Sequence, residues 1–99
     1  MSKIGEPELA RWRSMRADEV LLRLANHAKQ DRSFCPVKDS GTTRWHASTD
    51  GAEFELLLTG VKFFDGRAGR GGGGAVDLAM HIFNVDFKEA AALLRRRGV

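Results

Sequence analysis

An α+β fold is predicted, with helix ahead of a small antiparallel sheet and two helices behind it. Three observations predict it. Apolar residues recur at helical spacing over residues 18–28 and again over 76–94, they alternate with polar ones over residues 44–64, and glycine-bearing dipeptides punctuate the alternating part. At 99 residues the chain has room for one small domain, whose radius should be roughly 13 Å.

Residues 1–17 carry little pattern and are expected to be flexible or partly helical, with Leu9 and Trp12 spaced for one face after Pro7. Over 18–28, Val20, Leu21, Leu24, Ala25 and Ala28 predict a helix behind Asp18, whose carboxylate can cap the first free amides. Residues 30–43 hold Pro36, Asp39, Ser40 and Gly41 without a period and read as a loop, with a short edge strand over Phe34–Val37. Three strands follow at 44–48, 53–59 and 61–64. Asp50-Gly51 and Thr59-Gly60 turn between them, and the result is a meander.

Four consecutive glycines, 71–74, lead into a helix whose Val76, Ala79, Met80 and Phe83 form an apolar stripe ended by Asn84. Asp86 and Glu89 have capping-box spacing ahead of a last helix with Phe87, Ala90, Ala91 and Leu94 inward and Gly98 at its end. The closing Arg95-Arg96-Arg97 suits the carbonyl end of that helix.

Composition removes several classes of function. No apolar run exceeds five residues and the start lacks a signal-like segment, so a cytoplasmic location without membrane partners is expected. The single Cys35 excludes an internal disulfide and a four-cysteine metal site. His27, His46 and His81 are isolated, and no CxxC or HxxxH spacing occurs, so neither metal nor cofactor is expected. No GxSxG serine or carboxylate cluster is present, and no catalytic residue is assigned.

The glycine run admits three readings. A phosphate loop would need Lys-Ser/Thr where Ala75-Val76-Asp77 stands, and a dinucleotide fold would need a parallel crossover for which the chain has no room. The glycines serve either to fold tightly over the sheet edge, setting Asp77 near the first helical turn, or to let the backbone approach a polynucleotide phosphate between Arg67 and Arg70. Cations and rings interleave on two strands, Arg44-Trp45-His46 and Lys62-Phe63-Phe64, a combination suited to phosphates and bases of a single strand. The competing reading makes the rings the core face of the sheet, since only alternate residues face out.

The order of motifs resembles the N-terminal CHC2-type zinc-binding domain of DnaG-like primases and of related plasmid and mobile-element primases that carry a Toprim domain. Cys35-Pro36-Val37-Lys38, Thr42 and Trp45 stand in the places of its first ligand pair, its Thr-containing turn and an aromatic strand. Phe64, Gly66-Arg67-Ala68-Gly69 and Ala75-Val76-Asp77-Leu78 take the places of the second aromatic strand, the Cys-x-x-Cys knuckle and the following helix, and Phe87-Lys88-Glu89-Ala90 resembles the last helix. The resemblance covers about residues 18–97 and implies a three- to five-stranded, zinc-ribbon-like sheet. Of the four ligand positions only Cys35 keeps a ligand, Lys38, Gly66 and Gly69 having replaced the others, so a metal-free form is implied.

The expected function is therefore binding of single-stranded DNA template by a domain of a primase-like replication protein without its own catalytic centre. The residues expected to carry it are Lys38, Arg44, Trp45, His46, Lys62, Phe63, Arg67 and Arg70. The alternative is a protein-interaction module docking a Toprim catalytic domain or a replicative helicase, through the helix at 75–83 or the terminal arginines.

Overall fold

Pro7 sits in the first turn of α1 (Glu6–Ser14), where a missing amide costs no helical bond, and Glu6 and Glu8 lie at the positive end of that helix. α2 (Ala17–Leu24) follows at once. The computed structural model describes residues 5–36 and 41–99. The fold is α+β: these two helices, a five-stranded antiparallel sheet, then α3 (Ala75–Phe83) and α4 (Phe87–Arg96). The strands β1 (His27–Asp31), β2 (Thr42–Thr49), β3 (Ala52–Thr59), β4 (Lys62–Asp65) and β5 (Arg70–Gly73) lie side by side in chain order.

Three local expectations are corrected. The second helix stops at Leu24, and His27–Asp31 instead pair antiparallel with Arg44–Ser48, placing Ala28 opposite Ala47. Ala28 fits the helical period of 20–28 and a strand's alternation equally well, and the cross-strand ladder decides for the strand. Asp18 is not the cap, since Arg16 holds that position; the Asp18 carboxylate takes the Glu19 amide at 2.8 Å and pairs with Arg16. Phe34–Pro36 form no strand, and Val37 lies outside the described residues.

The glycine run is largely strand. Gly71, Gly72 and Gly73 pair with Phe64, Phe63 and Lys62. A side chain at 71 is sterically excluded, because its Cβ would lie 2.8 Å from the Phe63 carbonyl oxygen and 3.2 Å from the Phe64 ring. Gly74 adopts φ +89° and caps α3 where its Cα passes the backbone of Arg13 and Trp12. At the other end of α3, Asn84 closes the helix at φ 53°. The Asp86 carboxylate accepts from the Glu89 amide at 2.8 Å and caps α4 as its spacing predicts.

All four helices stand on one side of the sheet. Trp45, Ala47, Leu56, Leu58 and Phe63 point into the core, where Val20, Leu21, Leu24, Leu78, Ala79, Ile82, Ala90 and Leu94 meet them. Trp12 is fully buried, and its Nε1 donates to the Val99 carbonyl oxygen at 3.1 Å, joining α1 to the residue after α4. Phe87, expected inward, is 44% exposed at the start of α4. Among the described residues no helix is long and apolar enough to cross a membrane.

Candidate functional site

The helices leave the opposite sheet face open, and the pleat decides what stands on it. Alternation sends Trp45 and Phe63 inward, 8% and 5% exposed, and turns Arg44, His46, Lys62 and Phe64 outward. Both rings counted among the expected site residues are therefore corrected to core residues. The Trp45 Nε1 is also engaged, donating to Thr43 Oγ1 at 2.9 Å. The ring available on the open face is Phe64, 45% exposed. It lies within 4 Å of where side chains at Gly66 and Gly71 would begin, so the glycine backbones leave it a flat seat.

Pairing register places Asp31, Arg44, Leu57, Phe64 and Gly71 in one row across all five strands. Lys29, His46 and Glu55 form the adjacent row. Arg44 is committed within this surface: its Nε donates to Asp31 Oδ2 at 3.0 Å, the Glu55 carboxylate lies 3.7 Å away, and its guanidinium sits over the Phe34 ring at 5.2 Å. Bonds from Ser33 and then Arg44 hold the Asp31 carboxyl well below the usual carboxylate range. His46 is exposed, its Nε2 3.7 Å from Glu55 and 3.9 Å from Asp31. The face is thus a mixed-charge surface with its cations unequally available. Lys62 is exposed and unpaired among the described residues, whereas Arg44 is neutralised.

Arg67 stands in the β4–β5 turn and Arg70 opens β5; both are exposed, but they do not share a cleft. Arg67 lines a small one of about 160 Å³ with His27, His46 and Glu53. Arg70 lines two adjoining clefts on the helix side, of about 530 and 370 Å³, both of which also include His81 and Asn84. The glycine run offers little to a phosphate, because the Gly73 amide donates to Asp77 Oδ2 at 3.1 Å and the Gly74 amide to the Val61 carbonyl at 2.9 Å. Lys38 lies outside the described residues.

Among the described residues, the positions matched to zinc ligands do not converge. Cys35 is exposed in the β1–β2 loop, whereas Gly66 and Gly69 are in the β4–β5 turn. In an antiparallel meander these two connections open at opposite ends of the sheet. Among the described residues, no three His, Cys, Asp or Glu side chains come together to hold a metal ion.

One polar cluster was not singled out from the sequence. The His81 Nε2 lies 2.7 Å from Asp65 Oδ2, with both side chains about nine-tenths buried, and Asp65 Oδ1 accepts the Arg67 and Ala68 amides at 3.0 and 3.2 Å. Burial pushes the Asp65 carboxyl up, but the bonds from His81 and the two amides outweigh it and hold the group below its ordinary value. A carboxylate only accepts, so Nε2 carries a proton, and in the neutral form of the ring the lone pair is then on Nδ1. Two signals could have found the pair: strand parity places Asp65 on the face of Phe63, and His81 follows the buried Leu78 by three positions on α3.

The fold and surfaces define a class: a small α+β domain with one helix-covered sheet face and one open, polar face bearing a seated aromatic ring. No protein-family model matches the chain, and no solved structure matches it. Over 44 residues, which is 44% of the chain, it is 43% identical to the "65 kDa protein" of Zymomonas mobilis subsp. mobilis. The chain spans about 8% of the length of that curated relative.

Proposed function

We propose that the open sheet face binds single-stranded DNA, as the template-binding domain of a primase-like replication protein whose catalytic centre resides elsewhere. The observation that carries this reading is Phe64, a half-exposed ring seated on glycine backbone with Lys62 beside it on the same face. A flat exposed ring takes any base, and a neighbouring ammonium takes the phosphate that follows. His46 and Arg67 extend the polar surface around a shared cleft, and Lys29 adds a cation on the row of His46. Arg44 serves instead to order the surface through Asp31. The primase assignment draws on the order of sequence motifs, in which Cys35 alone keeps a ligand at the four metal positions.

With few free cations, binding should be micromolar or weaker and should fall with salt. Titration of labelled single-stranded oligonucleotide followed by backbone amide shifts tests the reading. Shifts gathered at Phe64, Lys62 and Arg67 support it. Absence of any shift at millimolar oligonucleotide, with a protein partner binding the same face, would support the interaction-module alternative.

A further inference from the structure

On the helix side of the sheet, the clefts around Arg70, His81 and Asn84 form a groove whose chemistry is distinct from that of the open face. Its walls include Phe54 and Phe83, with Met80 further along, and each cleft is within the size range that encloses small organic ligands. Its polar groups are of both kinds. The Arg70 side chain has no ion pair or hydrogen bond among the described residues and can only donate. His81 Nδ1 has no partner either, and since no described side-chain nitrogen or oxygen is buried without one, Nδ1 is reached from the groove and can accept. Asn84 offers both a donor and an acceptor.

The balance of charge selects the ligand. Asp50 lines the larger cleft and Asp77 the smaller, with Asp65 ionised behind His81, so the single guanidinium is outnumbered and a phosphate or other anion is disfavoured. A neutral, planar molecule with acceptors along one edge and donors along another satisfies every group. We propose that this groove is a nucleobase pocket that favours guanine. The Arg70 fork faces the O6 and N7 acceptors, and His81 Nδ1 or the Asp77 carboxylate faces the ring and exocyclic N–H donors. Asp65 acts as a positioning residue, fixing the His81 tautomer that leaves Nδ1 as an acceptor. Adenine presents a donor where guanine has O6 and so meets Arg70 with the wrong group. The inference deepens the single-strand reading in supplying a place for an unstacked base, and it rests on that reading only for the source of the base.

The test separates the two sources. The ring nitrogens of His81 are followed by NMR in the intact chain while guanosine, adenosine, cytidine and inorganic phosphate are each added. Guanosine should move the His81 Nδ1 resonance, with adenosine and cytidine binding at least fivefold more weakly. Arg70→Gln should weaken guanosine binding at least fivefold, and so should His81→Gln, whose amide still donates to Asp65, while the amide spectrum otherwise stays native. Equal response to all three nucleosides, a response to phosphate alone, or no His81 shift at several millimolar guanosine overturns the pocket. In the second arm, oligonucleotides with and without one guanine are compared. Binding that depends on Phe64 but neither on guanine nor on Arg70 overturns the pocket and keeps the open face. Guanosine binding without oligonucleotide binding keeps the pocket and sinks the single-strand reading.

Discussion

The Asp65 carboxylate holds the His81 imidazole at 2.7 Å, tying the end of β4 to the last turn of α3 while also gathering the two amides that open the β4–β5 turn. Three donors depend on this one side chain. Asp65→Ala leaves two amides and an imidazole without partners and should cost about 3 kcal/mol, while His81→Gln, which keeps a donor, should cost about 1 kcal/mol. Urea unfolding at neutral pH reads both.

The same carboxylate sets a pH dependence. Its folded value lies below the ordinary one, so its contribution is complete above the unfolded carboxylate's pKa of about 3.9 and is lost as pH falls through the lower folded value. Asp65→Asn should flatten that acid limb. An unchanged limb in the variant would show that other carboxylates dominate it.

Arg44 and Asp31 give a second, separable titration. In Arg44→Gln, the Asp31 carboxyl should rise toward its ordinary value but stay below it, since Ser33 still donates to it through both its amide and its hydroxyl. The stability contributed by this depressed group would then be smaller, still complete above the unfolded carboxylate's pKa of about 3.9 but lost over a narrower window that ends at a higher pH. Carboxyl carbon shifts in an NMR titration follow it directly.

Glycines within the run should differ sharply in tolerance. Gly74→Ala forces a Cβ to 2.9 Å from the Arg13 Cα at φ +89°, and Gly71→Ala meets the Phe63 carbonyl oxygen at 2.8 Å, both backbone atoms that cannot swing away. Each should destabilise by about 2 kcal/mol or more. At Gly73 the nearest atoms stand at an ordinary 3.8 Å, and Ala there should cost less than about 1 kcal/mol. Thermal melts of the three variants would rank them.

Phe64→Ala should weaken single-strand binding by at least about fivefold, from loss of one stacking contact. Stability should change by less than about 1 kcal/mol because the ring is half-exposed. Lys62→Ala with Arg67→Ala should lower the salt slope by about 1 to 1.5. Trp45→Ala, by contrast, should cost about 3 kcal/mol or more through the core. A Phe64→Ala variant binding as tightly as the native chain removes the proposed platform.

Local chemistry is what the amino-acid sequence determined here. The turns at Asp50-Gly51 and Thr59-Gly60, the Asp86 cap, the Asn84 stop and the helical stripes all act within a few residues, and the central meander and both C-terminal helices follow from them. Only tertiary structure decided the rest. His27–Asp31 became a strand because Arg44–Ser48 supplied a ladder, and a glycine tract of poor strand propensity became β5 because it alone fits against Phe63 and Phe64. Alternation put Trp45 with Leu56, and Arg44 with Leu57, on opposite faces, yet nothing within the strands says which face the helices will cover. That choice moved the candidate platform from Phe63 to Phe64. The Asp65–His81 pair, sixteen residues apart, exists because packing α3 on the sheet brings a lone carboxylate and a lone imidazole into a space with little water.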